Sequence, residues 1–202
     1  MIRKVIKVIL LIFIILYLSP VGLLLIRSIV VFTPEFHFTA DNYIEILFNS
    51  KIFTTSFLNS VVTTSTLAMA QTVYGTIMAF VFSKIKFRFR QCLYFVYVVA
   101  IVIPFQVTMI PVYLMLSRVN ILNSFSAVVL PLVFVPFGVI FLKQFMEYIP
   151  QDILEAASLD GASGFHIFYK IIVPVCKNSI ILLFFLSFVE NWANDRTFYN
   201  IR

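Results

Sequence analysis

The sequence predicts an all-α integral membrane protein. Three observations carry that prediction: 61% of residues are hydrophobic and only 12% charged, the mean hydropathy is +1.03, and several uncharged runs are long enough to cross a bilayer. Soluble domains carry about 25% charged residues. A chain of 202 residues with 24 phenylalanines has more apolar surface than one soluble core can hide. The apolar runs are continuous instead of alternating, which favours helices over a β-barrel.

The first apolar run, Val8–Ile26, follows the basic segment Met1–Lys7. No small-residue cleavage site follows it and it is too long for a signal peptide, so it is expected to be an uncleaved signal anchor, kinked at Pro20 and Gly22. The windows Ile52–Ser83, Gln91–Ser117 and Val119–Leu142 are also free of charge, and each can hold the ~20 residues that cross ~30 Å of hydrocarbon. Asn178–Val189 runs only 12 residues before Glu190, too short to span. The expectation is four complete spans and the start of a fifth. Pro104, Pro111, Pro131 and Pro136 predict bent helices.

Charge sets the expected orientation. Arg3, Lys4 and Lys7 precede the first span, Lys84, Lys86, Arg88 and Arg90 follow the second, and Lys143, Lys170 and Lys177 follow the fourth. Against these ten stand Arg27, Lys51 and Arg118 on the other side. Cytoplasmic loops are enriched in Lys and Arg, so the N-terminus and the segment from Lys143 to Lys177 are expected to be cytoplasmic. The net charge of +6 is a topology signal and not a nucleic-acid surface.

The segment EAASLDGASGFHIFYKIIVP, Glu155–Pro174, is polar by comparison with its flanks. Asp152 is placed to cap a helix N-terminus, with Glu155 three residues on to complete a capping box. Ile153, Leu154, Ala157 and Leu159 would share its turns, and Gly161 after Asp160 suits a left-handed C-cap. Ser163 can start a second short helix through Phe165, Phe168, Tyr169 and Ile172, which Pro174 would stop. The expected product is helix, turn, helix along the membrane face. By residues alone it is either a connector between spans or a docking element.

Other candidate sites are sparse. Thr63, Thr64, Ser65, Thr66, Gln71 and Thr72 could line a polar pathway with Gln106, or hydrogen-bond between packed helices. His37 and His166 lie in different loops, and Cys92 and Cys176 have no metal spacing, so no metal site is expected. There is no GxxxxGK[ST] phosphate loop and no nucleophile–base arrangement. No cofactor is expected, and the chain is not expected to be an enzyme.

Glu155-Ala156-Ala157, then Gly161, Ile171 and Val173-Pro174, resemble the EAA loop of ATP-binding-cassette importer permeases. That pattern reads EAA, three residues, Gly, nine residues, Ile, one residue, Leu-Pro, and the one departure is Val173 for leucine. The runs Pro104–Ser124 and Val129–Ser163 are similar to the carbohydrate, maltose-permease-like branch. The resemblance implies a type I importer transmembrane fold, with residues 1–56 as N-terminal span and outer loop and 57–202 as the permease domain. It implies a multi-pass protein of the bacterial cytoplasmic membrane, surrounded by lipid. Its partners would be a cytoplasmic ATPase dimer, a second permease of the same fold and an extracytoplasmic sugar-binding protein. The ATPase-coupling residues would be Glu155, Ala156, Ala157, Asp160, Gly161, Ile171 and Pro174.

From Glu190 the sequence is expected to leave the family pattern. Asp195 and Arg196 at the centre of a span would each cost about 2.5–3.5 kcal/mol, so the chain looks truncated at its C-terminus. The alternative function is a secondary transporter or a non-transporting membrane scaffold. Ion-coupled transporters keep ionisable residues inside their spans, and the four complete windows contain none.

Overall fold

The computed structural model describes residues 2–33, 35–122 and 124–193, and the chain divides into two compact units, Met1–Leu58 and Asn59–Arg202. The first unit opens with helix α1, Ile2–Ile29, which carries Pro20 in its interior. Its stretch Ile6–Ile29 has a mean hydropathy of 2.9 and none of it is buried within the chain. A helix that is hydrophobic all round needs an apolar surrounding on every side.

The last carbonyls of a helix have no partner within it, and here the chain turns back to serve them. Thr39 N–H donates to Ile29 O at 2.8 Å, Asn42 Nδ2 donates to Ser28 O at 3.1 Å, and Ser28 Oγ shares a 2.6 Å hydrogen bond with the Tyr43 hydroxyl. The return is made by an antiparallel ribbon, β1 Val30–Thr33 and β2 Glu35–Phe38, with Val30 opposite Phe38 and Thr33 opposite Glu35. Only an outer loop is expected there from the sequence, because four-residue strands are too short to display an alternating pattern. Helix α2, Asp41–Ile44, and one wide turn, Glu45–Asn49, follow.

The second unit begins within α3, Lys51–Lys84, at Asn59. After it come α4 Arg90–Ala100, α5 Phe105–Arg118, α6 Phe125–Val133, α7 Pro136–Glu147 and α8 Gln151–Leu159. Helix α9, Gly164–Ile167, continues through a wide turn, Phe168–Ile172, into α10, Val173–Val175, and α11 covers Lys177–Ala193.

Among the described residues, α1 and α3 alone are long and apolar enough to cross a membrane. Two bent pairs, α6–α7 at 42° and Gly164–Val175 with α11 at 76°, raise the count to as many as four if each is one span. The expected span Gln91–Ser117 is instead two helices, α4 and α5, separated at Ile101–Pro104. Pro104 offers no N–H and disfavours helix at the residue before it. The window Val119–Leu142 is helical only from Phe125 and breaks again before Pro136. The fifth run is longer than its uncharged stretch, since α11 carries Glu190 and continues to Ala193.

Helices α3, α7 and α11 meet through small residues. A Cβ on Gly75 would lie 3.2 Å from Leu183 Cδ2 and 3.3 Å from the Gly138 carbonyl carbon. A Cβ on Gly138 would meet both Leu183 methyls, at 3.2 and 3.3 Å. Close backbone approach through glycine is the usual way helices pack where no hydrophobic effect drives them together. Around this crossing lie Ala79, Leu142, Met146, Ile172 and Leu183, all at most 1% exposed. The aromatic ring of Phe82 packs at 5.3 Å on Tyr97, and Lys143 Nζ lies 4.2 Å from the Tyr94 ring centre while pairing with Glu147 at 2.6 Å.

Gly138→Ala is expected to overpack this crossing at a cost of about 1–3 kcal/mol, and Leu183→Ala in the same chain to recover part of it. The midpoint of unfolding by SDS in mixed micelles measures both. Equal midpoints for Gly138→Ala with and without the Leu183 change would show that the crossing is not tight there.

Candidate coupling site

Helix α8 starts without a side-chain cap. Its N-cap residue is Pro150, and Asp152 stands in the first turn, not at the cap. The expected capping box is therefore not made: the helix begins two residues too early for Asp152 to stand at its N-cap. In the first turn its negative charge is favourable at the positive end of the helix. The chain ahead of the helix is held by Lys84, the last residue of α3, whose Nζ donates to Ile149 O at 2.6 Å.

The turn at the other end is closed by backbone alone. Gly161 has φ of +86°, a conformation open to glycine and strained for other residues. Ala162 N–H donates to Ala157 O at 3.0 Å and Gly161 N–H to Ser158 O at 3.1 Å, the paired bonds of a Schellman motif. Ser163 then caps α9, its Oγ accepting from His166 N–H at 3.3 Å. Both expectations for this turn, a left-handed Gly161 and a helix starting at Ser163, match these bonds.

Pro174 does not end the second helix. The wide turn Phe168–Ile172 precedes it, with Val173 N–H reaching back to Phe168 O. That turn opens the backbone where the proline ring would otherwise meet the carbonyl four residues back. The helix bends only at Cys176, which is buried.

Burial sorts the side chains of the element. Leu154, Ile167 and Ile172 enter the core, and Ala157, Ala162 and Ile171 pack against it. Ile167 was not picked out by sequence, since the run of aromatic residues around it masks the inward position. Leu159 and Phe165 are 89% and 77% exposed, and Tyr169 is exposed as well. Ala157, Asp160, Gly161 and Ile171 line one open concavity of about 520 Å³, together with Ser163 and Lys170. Glu155, Ala156 and Pro174 are exposed but outside its lining.

The other two candidates are not brought together. Gln71 is buried and bonded to Leu132 O at 2.7 Å and to Asn191 at 2.9 Å. These bonds run between helices, as one of its two expected roles requires. Gln106 is exposed near the start of α5 and is not among its partners. Asn191 escaped the sequence reading because it falls in the charged stretch after Glu190; its helical spacing of four from Ser187 was the available signal. Among the described residues no group of His, Cys, Asp and Glu could hold a metal ion. Asp195 and Arg196 lie outside the described residues.

Residues 71–194, more than half of the chain, match the family described as binding-protein-dependent transport system inner membrane component. The match includes Glu190–Asn194, so the likeness continues past the point where the sequence is expected to leave the pattern. The arabinooligosaccharides transport system permease protein of Halalkalibacterium halodurans is 26% identical over 156 residues, 77% of this chain and 56% of that protein. Its namesake in Bacillus subtilis is 24% identical over 154 residues, 76% of this chain and 55% of that protein. The sn-glycerol-3-phosphate transport system permease protein of Yersinia pestis is 26% identical over 144 residues, 71% and 51% of the two chains. The chain thus spans little more than half the length of these relatives. A match of this extent, over the residues that build the α3, α7 and α11 crossing and the turn at Gly161, means that the chain belongs to the inner membrane components of binding-protein-dependent transport systems.

Proposed function

We propose that this chain is a translocation subunit of an ATP-driven, binding-protein-dependent sugar importer, coupled to a separate cytoplasmic ATPase through Glu155–Pro174. The observation that carries the proposal is the helix–turn–helix itself. Its turn is fixed by the chain's own backbone at Gly161, while Leu159 and Phe165 stand almost fully exposed on a polar element. Exposed large apolar side chains rimmed by polar ones mark a protein interaction surface. Ala156 keeps the outer face of α8 low, so a groove can approach closely, and Glu155 and Asp160 can meet basic groups.

On this reading residues 57–202 form a permease domain of the type I importer fold, working beside a second permease and receiving substrate from an extracytoplasmic sugar-binding protein. The membrane is the bacterial cytoplasmic membrane and the N-terminus is cytoplasmic. ATP hydrolysis belongs to the ATPase dimer. The names of the relatives support a sugar or a sugar-like polyol phosphate as cargo, and labelled arabinooligosaccharides and sn-glycerol-3-phosphate are the uptake probes to use first.

Gly161→Val places a β-branched residue at positive φ, where it is strongly disfavoured. The variant is expected to reach the membrane at the normal level but to lose the ATPase on co-purification. Glu155→Lys should do the same by charge reversal, with no capping bond at stake because α8 has none. Retention of the ATPase and normal uptake by both variants would reduce the element to a connector.

Thiol labelling checks the orientation. Cys92 is exposed and Cys176 is 4% exposed. An impermeant maleimide should leave intact cells unlabelled and modify Cys92 alone once the cells are lysed. Labelling of Cys92 from outside would invert the topology.

A further inference from the structure

In a continuous helix the Leu132 carbonyl would accept from the N–H four residues on. That residue is Pro136, which has none. The intervening Val135 N–H is turned to Val133 O at 3.0 Å. The Leu132 carbonyl is satisfied from another helix, by Gln71 Nε2 at 2.7 Å. Gln71 Oε1 in turn accepts from Asn191 Nδ2 at 2.9 Å, and the same amide donates to Ser187 O at 2.7 Å. Gln71 and Asn191 are each 8% exposed.

Residues at i, i+3 and i+4 share one helix face, and on α3 that face holds Gln71, Tyr74 and Gly75. All three touch the α6–α7 break or its sequel: Gln71 at Leu132, Tyr74 edge-on to Phe134 at 5.0 Å, and Gly75 at Gly138. The coupling element is bracketed by α7, which enters it, and α11, which leaves it. Gln71 grips the last turn of α6, through Leu132, just ahead of the break into α7, and the last turn of α11, through Asn191. At 1.5 Å per residue Asn191 lies about 20 Å along α11 from its start at Lys177, and α7 is itself about 18 Å long.

We propose that Gln71 is a positioning residue of the transport cycle. It ties the last turn of α6 to the far end of α11, so that a displacement at the element swings α7 about the break at Phe134–Val135 while the end of α11 stays held. This rests on the coupling role proposed above.

The test uses four full-length chains expressed in place of the native one: wild type, Gln71→Leu, Pro136→Ala and the double variant. Pro136→Ala returns a backbone N–H for the Leu132 carbonyl, so it should relieve the need for Gln71. Gln71→Leu is expected to keep the ATPase on co-purification, to lower ATP-driven uptake of the imported probe several-fold and to lower the SDS unfolding midpoint. In the Pro136→Ala background both losses should shrink to less than half. Wild-type uptake by Gln71→Leu at equal membrane levels, or equal losses in both backgrounds, would overturn the proposal.

Should Gln71→Leu fail to accumulate, Gln71→Glu replaces it. A protonated Glu donates to Leu132 and accepts from Asn191, whereas an ionised one cannot donate. Its uptake, relative to wild type, should rise as pH falls, and a flat ratio overturns the assignment. The SDS midpoints need neither ATPase nor cargo. If they show rescue while Gly161→Val leaves coupling intact, the coupling role has failed and the grip of Gln71 has not. If they show no rescue, the grip itself has failed.

Discussion

The packing of the second unit depends on one steric constraint: α3 and α7 can approach only because neither carries a side chain at Gly75 or Gly138. Lipid chains are as apolar as leucine, so no hydrophobic gain draws such helices together. Contact must come from close fit, and Leu183 supplies it by setting Cδ2 against both glycines and Cδ1 against Gly138. Once the three helices are locked at that level, the positions one turn away are fixed. Thus Gln71 finds a carbonyl, Tyr74 finds Phe134, and Leu142 and Met146 close over the inward face of the coupling element.

The coupling element follows a different logic. Its inward residues are few, Leu154, Ile167 and Ile172, and they join the same core. Its shape is held mainly by backbone bonds around Gly161 and by Lys84, which ties the end of α3 to the chain just before α8. Little of its outer surface is therefore needed for its own stability. Glu155, Ala156, Leu159 and Phe165 stand exposed outside the core, so on the proposed reading a mutation there alters docking while sparing insertion.

Much of this was legible in the residues. Uncharged length gives α1 and α3, because crossing a bilayer leaves composition little choice. Glycine after Asp160 gives the left-handed turn, and serine at 163 gives the start of α9, since both are decided within a few residues. What escaped was non-local or depended on a proline's surroundings. Pro104 and Pro136 break helices outright, but Pro111, Pro131 and Pro174 sit inside helical runs. No local rule separates these outcomes, because a freed carbonyl is tolerable only where something else reaches it. The bond from Gln71 to Leu132 joins residues 61 apart and that from Asn191 to Gln71 joins residues 120 apart, separations at which helical periodicity says nothing.

The wide turn at Phe168–Ile172 has a further consequence. Successive residues of an α-helix advance by about 100° around the axis, and a turn with one extra residue shifts the angular phase of everything after it by that step. Which face of α11 looks inward is thus fixed by the count of residues between Ser163 and Cys176, as well as by the hydrophobicity of α11 itself. Shortening that stretch by one would leave α11 as apolar as before while turning Leu183 and Asn191 away from the helices they meet. In this segment the number of residues is as strict a requirement as their kind.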